Sequence, residues 1–98
     1  MVTLINTFTV HGDTAEFERV WQESADFMRA RPGFLGYRFG RSTTDAHVYV
    51  NVAEWESPEA LRAATEGPEF QEHRTRLRAL ATSTPAVYTP LLVGEPVE

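Results

Sequence analysis

The sequence contains no cysteine, so disulfide bonds, thiolate nucleophiles and sulfur-ligated metals are excluded. It also lacks lysine: all nine basic residues are arginines, scattered without a basic stripe, so we expect no nucleic-acid partner. No apolar run approaches the roughly 20 residues that span a bilayer, and the first ten residues lack the basic segment of a secretory signal. No histidine or carboxylate cluster has the spacing of a metal site. These absences favour a cytoplasmic, metal-free protein without a membrane partner.

The size and composition of the chain favour self-association. A chain of 98 residues is expected to form a single domain, residues 1–98, with a small core of its own. However, 42% of the residues are hydrophobic and 11% are aromatic, which is more than such a core readily covers. Because most soluble oligomers are homo-oligomers, we expect a second copy of the chain to cover the remainder.

The hydrophobic pattern predicts regular segments in the order β-α-β-β-α-β. The predicted strands are 3–11, 34–42, 46–56 and 85–93. The first predicted helix is 14–30, and the second covers 58–65 and restarts at Gly67-Pro68. Residues 94–98 are predicted to form a loose tail. This order is typical of the split β-α-β, or ferredoxin-like, arrangement, an α+β fold with both helices on one sheet face. Strand 46–56 is apolar on both faces, so we expect two sheets to pack together as a dimeric α+β barrel.

Two asparagines interrupt the predicted core. The first and third strands are adjacent in a ferredoxin-like sheet, so Asn6 and Asn51 are expected side by side, facing the helices. Trp55 lies four residues beyond Asn51 and therefore on the same face. Taken singly, each is more simply explained as a core residue. Together they favour a small-molecule pocket, because unpaired amides are costly in a core.

The predicted helices supply further candidates for the pocket wall. Phe70 and His73 share one apolar helix face, where His73 is a hydrogen-bonded wall residue, a general base or a haem ligand. Phe8 lies on the face of Asn6, and Trp21 belongs to the apolar stripe of the first helix. The arginines of the last helix form a mostly solvated face, and the alternative is that one of them lies at the pocket mouth. These arginines are Arg74, Arg76 and Arg78.

Four sequence elements stand out: Asn6, Pro-Gly-Phe at 32–34, VNVAEWES at 50–57 and Pro-x-Phe-x-x-His at 68–73. Together they resemble the antibiotic biosynthesis monooxygenase family over nearly the whole chain. Asn-x-x-x-Trp at 51–55 is similar to the pocket motif of cofactor-independent anthrone-type oxygenases of aromatic polyketide biosynthesis. The resemblance implies a monooxygenase that converts a phenolic ring of a small aromatic substrate into a quinone with O2 and no cofactor. It also implies that Asn6, Asn51 and Trp55 are the catalytic residues.

Two alternatives remain open on the same residues. The haem-degrading branch of this fold also has a first-strand asparagine and a helix histidine, which Asn6 and His73 match. Against it, that branch has a tryptophan where this chain has Ala64, and it tends to lack the asparagine at position 51. The other alternative is a non-catalytic, cyclase-assisting or ligand-binding protein. Leu61 is a further candidate for the pocket wall, at a position where some anthrone-type oxygenases have a tyrosine. The sequence therefore leaves the proton-accepting group unassigned. It also does not identify the substrate or the regiochemistry of the reaction.

Overall fold

The computed structural model of the chain describes residues 1–97 and follows the predicted order of elements. In chain order these are β1 (Val2–Val10), α1 (Thr14–Met28), β2 (Phe34–Arg41), β3 (Val48–Trp55), α2 (Pro58–Glu66), α3 (Pro68–Arg78) and β4 (Ala81–Tyr88). The second helical region is divided at Gly67, as the Gly-Pro pair predicts. Of the predicted tail, 94–97 has no regular secondary structure, and Glu98 lies outside the described residues.

The sheet confirms the ferredoxin-like α+β prediction. Its strand order is β2-β3-β1-β4, and every neighbouring pair is antiparallel. Strands β1 and β3 are therefore the central pair, with Asn6 directly opposite Asn51. On its other side Asn6 is opposite Pro85 of β4. The two predicted pocket amides are thus neighbours in the middle of the sheet.

The predicted last strand, 85–93, is wrong in its position. Strand β4 begins at Ala81 and pairs with β1 from Val10↔Ala81 to Thr3↔Tyr88. The sequence placed the start too late, at Pro85, because 82–84 is Thr-Ser-Thr, a weakly apolar stretch. In residues 1–97 β4 pairs only with β1, so it is an edge strand, and there a missing proline N–H is tolerated.

Local signals in the sequence set the helix ends. The side chain of Asp13 accepts a hydrogen bond from the backbone N–H of Ala15 at 2.9 Å, capping α1. The Ser57 hydroxyl accepts from the N–H of Ala60 at 3.1 Å, and Pro58 occupies the first turn of α2. The chain leaves α1 through a turn that ends at Gly33, whose φ of 85° suits glycine.

The buried core lies between the helices and one sheet face, in two separate clusters. The first contains Phe8, Val10, Phe17, Trp21, Ala25, Tyr49 and Ala81; the second contains Val2, Ala53, Trp55 and Ala64. Along β1 and β3, Asn6 and Asn51 occupy the positions between the two clusters. The hydrophobic core is therefore divided by a polar pair.

The opposite sheet face carries half-buried aliphatic side chains and has no helix packed on it in the described part of the chain. These residues are Ile5, Val48, Val50 and Val52. After β4, residues 89–97 expose further apolar side chains, such as Leu92, which is 95% exposed. These apolar side chains thus lie outside the core that the single chain forms.

Within residues 1–97, no helix combines the length and apolarity that crossing a membrane requires.

Candidate active site

A cavity of about 390 Å³ separates the sheet from the three helices. Its wall on the sheet side is formed by Leu4, Asn6, Phe8, Phe34, Tyr37, Asn51, Ala53, Trp55, Ala81, Ser83, Pro85 and Val87. Its wall on the helix side is formed by Trp21, Ser24, Ala25, Met28, Leu61, Thr65, Phe70, Arg74, Leu77 and Arg78. A mostly apolar cavity with a few convergent polar groups is the usual form of a small-molecule site.

Asn6 and Asn51 lie side by side on the sheet wall of this cavity. In a directly opposed antiparallel pair the Cβ atoms are about 5 Å apart, so both amides reach the same small volume. The Oδ1 atom of each is buried and makes no hydrogen bond with any atom of residues 1–97. Because a buried amide without a partner is costly, this pair is an arrangement that a ligand would complete.

Trp55 lies at the end of β3 and is 1% exposed. Its ring packs edge-on against Phe34, with ring centroids 5.2 Å apart, which fixes the indole plane. Its Nε1–H is buried and donates to no acceptor within the described range 1–97. Ala53, the intervening residue on the same face, bears only a methyl group and leaves space between Asn51 and Trp55. The sheet wall therefore offers three unpartnered polar atoms along about 13 Å of strand.

Four of the five predicted wall residues line the cavity: Phe8, Trp21, Leu61 and Phe70. Trp21 is held by stacking on Phe39, with centroids 3.7 Å apart, and by an edge contact with Tyr37 at 5.2 Å. These contacts leave Trp21 little freedom, so this side of the cavity is preformed.

His73 does not line the cavity. Its ring packs against Phe27 of α1, with centroids 5.4 Å apart, and its buried Nδ1 has no hydrogen-bond partner in residues 1–97. Along α3 the cavity face is formed by Phe70, Arg74, Leu77 and Arg78. The predicted face, through His73, is rotated from this one, and both have helical spacing. The sequence alone could not distinguish the two faces, because the face that lines the cavity carries Arg74 at a position where an apolar residue would be expected.

The structure separates the three arginines of α3. Arg74 and Arg78 line the cavity, whereas the Arg76 side chain lies outside the cavity wall and its Nη2 is 2.6 Å from Oε2 of Glu23 on α1. That contact, above all its hydrogen bond, lowers the pKa of Glu23. The wall also contains polar residues that the sequence did not single out: Ser24, Tyr37, Thr65 and Ser83. Alternation on β4 would have indicated Ser83, had the start of that strand been placed correctly.

The cavity wall contains no aspartate, glutamate or histidine among residues 1–97. In the same part of the chain, no group of three or more histidine, aspartate or glutamate side chains is arranged to hold a metal. The charged groups of the wall are the guanidinium groups of Arg74 and Arg78. Any anion formed in this cavity would therefore meet two cations and several amide or indole groups, and no carboxylate.

Comparison with known proteins agrees with this arrangement. The family model described as antibiotic biosynthesis monooxygenase matches residues 1–76. The chain is 43% identical over 88 residues to deoxynogalonate monooxygenase of Streptomyces nogalater, covering 90% of this chain and 75% of that protein. It is also 34% identical over 73 residues to a haem oxygenase (mycobilin-producing) of Mycobacterium tuberculosis, covering 74% and 70% of the two chains.

A solved structure gives the same result at the level of the fold. SnoaB, a cofactor-independent oxygenase from Streptomyces nogalater, matches with a TM-score of 0.91 at 41% identity, covering 94% of both chains. The resemblance first noticed in the motifs is thus confirmed over most of the sequence and in three dimensions. The chain belongs to the antibiotic biosynthesis monooxygenase family.

Proposed function

We propose that this chain is a cofactor-independent monooxygenase that oxidises a phenolic ring of an anthrone-type aromatic polyketide to a quinone with O2. One observation carries the proposal: Asn6, Asn51 and Trp55 line one apolar cavity, and the buried Oδ1 atoms of the two amides and the buried Nε1–H of the indole have no partners in residues 1–97. Two acceptors and a donor are complementary to a hydroxylated aromatic ketone. The relatives named monooxygenase and cofactor-independent oxygenase support the same chemistry.

The first step would be loss of a proton from the substrate, which gives an electron-rich anion. With no carboxylate or histidine in the wall of residues 1–97, the proton would pass to water while the site stabilises the anion. Asn6 and Asn51 each carry an amide N–H₂ group as well as Oδ1, and such donors act on a developing oxyanion as in an oxyanion hole. Their fixed place on the central strands means that they are already oriented when the charge forms.

The second step would transfer one electron from this anion to O2, after which the two radicals combine to form a C–O bond. The resulting hydroperoxide loses water and leaves a carbonyl group. One oxygen atom of O2 thus enters the quinone, the other leaves as water, and the substrate supplies both hydrogens. Trp55 would donate its N–H to the substrate or dioxygen-derived oxygen while its ring supports the aromatic plane. The apolar wall keeps bulk water from the reactive intermediate.

The test is O2 uptake and quinone absorbance with metal-free protein and a hydroxyanthrone. The proposal expects a rate well above the spontaneous reaction, lost in Asn51→Ala and Trp55→Phe but kept in Gln22→Ala, an exposed α1 residue that bonds Asp26 at 3.1 Å. A wild-type rate equal to the spontaneous one would overturn the proposal. The haem-degrading alternative is supported by the 34% identical haem oxygenase. A Soret band on hemin titration that weakens in His73→Ala would favour this alternative. Thermal stabilisation by the ligand without product would favour a binding protein.

We also propose that two copies of the chain pair through the helix-free sheet face as a dimeric α+β barrel. The half-buried Ile5, Val50 and Val52 on that face and the exposed apolar side chains of 91–93 support it. Light scattering at micromolar concentration should give twice the mass of one chain. Val50→Glu, which places a charge on that face, should give a single-chain mass. A single-chain mass for the unaltered protein would contradict the proposal.

A further inference from the structure

One hydroxyl residue is buried on the helix side of the cavity. Ser24 of α1 is 6% exposed and lines the cavity. Among residues 1–97 the wall contains four residues with a hydroxyl group, and Ser24 is the buried one. Of the other three, Tyr37 and Thr65 are half-buried and Ser83 is exposed. Because buried polar groups are usually hydrogen-bonded, the Ser24 hydroxyl is expected to have a partner.

The protein itself does not supply that partner. A hydroxyl side chain within a helix commonly donates to the carbonyl four residues back, as Thr65 and Thr75 do at 3.2 Å and 2.9 Å. The Ser24 hydroxyl makes no such bond to the carbonyl of Val20, and no other hydrogen bond within residues 1–97. Since Ser24 is also shielded from bulk solvent, its hydroxyl is available to a molecule in the cavity.

Ser24 lies at the same level of the cavity as the amide pair. On the sheet, Asn6 and Asn51 occupy the positions between the two core clusters. On α1, Trp21 belongs to the first cluster and Met28 packs against the second, so Ser24 lies at the same boundary. The cavity therefore has polar groups on its sheet wall and on its α1 wall at one level, with apolar residues on either side.

The helix that carries Ser24 is firmly held. One turn before Ser24, Trp21 stacks on Phe39 of β2 with ring centroids 3.7 Å apart. Phe17, a further turn back, is completely buried, and Asp13 caps the start of the helix. The position of the hydroxyl is thus set before a ligand binds, as a specific contact requires.

On these grounds we propose that Ser24 is a specificity-determining residue, whose hydroxyl binds a second oxygen of the substrate. This oxygen is a phenolic hydroxyl on the ring edge away from the oxygen that Asn6 and Asn51 hold. The inference rests on the proposed function for the identity of the ring system. A serine hydroxyl and a phenolic hydroxyl can each donate and accept, so they pair in either direction. An apolar ring edge at this place would leave the serine hydroxyl without a partner.

The experiment uses a set of hydroxyanthrones. The parent compound has hydroxyl groups only beside the ketone, and each analogue has one further hydroxyl at a different ring position away from the ketone. For each compound, Kd is measured anaerobically from the quenching of tryptophan fluorescence, and kcat/KM is measured by O2 uptake.

The proteins are the unaltered chain, Ser24→Ala and Thr75→Ala. The last is the matched control, because it removes a hydroxyl from an exposed helix position outside the cavity wall. Alanine favours helices, so both variants should fold, and circular dichroism checks this. The further hydroxyl also changes the acidity of the ring system. The quantity compared is therefore the ratio of analogue to parent, which each protein supplies for itself.

The inference expects the unaltered chain to bind one analogue about 3- to 10-fold more tightly than the parent, which is the effect of one net hydrogen bond. Ser24→Ala should lose this preference in both Kd and kcat/KM without oxidising the parent more slowly, and Thr75→Ala should keep it. If every ratio is the same in Ser24→Ala as in the unaltered chain, the inference is overturned. Slower oxidation of all compounds alike in Ser24→Ala would assign the hydroxyl to the reacting atoms and also overturn it.

The two proposals fail in different ways. If a preference that depends on Ser24 is found but no compound is oxidised above the spontaneous rate, the proposed oxygenation fails and the Ser24 contact stands. If the compounds are oxidised by the protein with ratios that do not depend on Ser24, the oxygenation stands and the Ser24 contact fails.

Discussion

Asn6 and Asn51 face each other across the two central strands, and both Oδ1 atoms are buried without a hydrogen-bond partner in residues 1–97. On both strands they separate the two clusters of the hydrophobic core. A buried amide oxygen without a hydrogen-bond partner costs stability in the ligand-free protein. We attribute the presence of the pair to the substrate, and the predictions for the site follow from this relationship.

Replacing either amide with alanine should reduce turnover without reducing stability. Loss of one oxyanion-stabilising donor lowers kcat by about 100-fold or more. Because the native amide oxygen is already unpartnered, its removal relieves a desolvation cost and should leave the thermal midpoint unchanged or higher. Thermal unfolding and steady-state O2 uptake of Asn6→Ala and Asn51→Ala test this. A drop in stability that parallels the drop in activity would show that the pair is structural.

Trp55→Phe should separate the indole N–H from the aromatic ring. Phenylalanine keeps a ring that can contact Phe34, so anaerobic substrate binding should change little. The lost N–H should lower kcat, and the smaller ring should reduce the free energy of unfolding by about 1–3 kcal/mol, since Trp55 is fully buried. Stopped-flow single-turnover measurements distinguish binding from chemistry. Unchanged single-turnover rates would exclude the N–H from the reaction.

The central strands and their polar pair were predictable from sequence because alternation fixes which side chains share a face. Asn51 and Trp55 are four residues apart on a strand, so their common face followed directly. The position of His73 was not predictable in this way. On α3 a rotation of one residue exchanges His73 for Arg74, and a helix with charged residues on most sides carries little information about which side is buried.

The last strand illustrates a second limit. Its sequence, ATSTPAVY, begins with the weakly apolar run Thr-Ser-Thr followed by a proline, so hydrophobic alternation does not indicate a strand that begins at Ala81. Its strand structure depends on pairing with β1 over its whole length, a long-range interaction that local propensity does not report. The cavity residues of this strand, Ser83 among them, were therefore missed.

Gly33→Ala should destabilise the fold strongly. Gly33 has a φ of 85°, and a Cβ added there would lie 2.5 Å from Cβ of Ala60. The left-handed backbone and the overpacking should together lower the free energy of unfolding by more than about 2 kcal/mol. Gly40→Ala is the matched control, because its added Cβ meets no atom within 4 Å, and urea unfolding compares the two. Equal stability of both variants would contradict the packing described at the end of α1.

Tyr49 should contribute to loss of stability at alkaline pH. Burial, together with the hydrogen bond from its hydroxyl to Oε2 of Glu18 at 2.7 Å, raises the pKa of Tyr49 above its ordinary value of 10.0. The folded state therefore keeps the proton at a pH where the unfolded state releases it. The stability from this group is complete below the unfolded pKa and is lost as pH rises toward the folded one.

Urea unfolding of Tyr49→Phe at about pH 9 and about pH 11 measures this contribution. The phenylalanine ring can keep the contacts of Tyr49 with Phe17 and Phe39, so the variant should fold and should lose less stability between the two pH values than the unaltered chain. Tyr88→Phe, at a 53% exposed position, should retain the full pH dependence. An identical pH dependence in Tyr49→Phe and the unaltered chain would refute the assignment.

The central claim is that this cavity, with its amide pair and indole, performs oxygenation using O2 alone. Its most direct measurement is the mass of the quinone formed from a hydroxyanthrone under ¹⁸O₂ by metal-free protein. The account predicts one ¹⁸O atom per quinone, formed faster than in the absence of protein, and loss of that acceleration in Asn51→Ala. Quinone formed no faster than without protein, or formed faster but with its new oxygen from water, would contradict it.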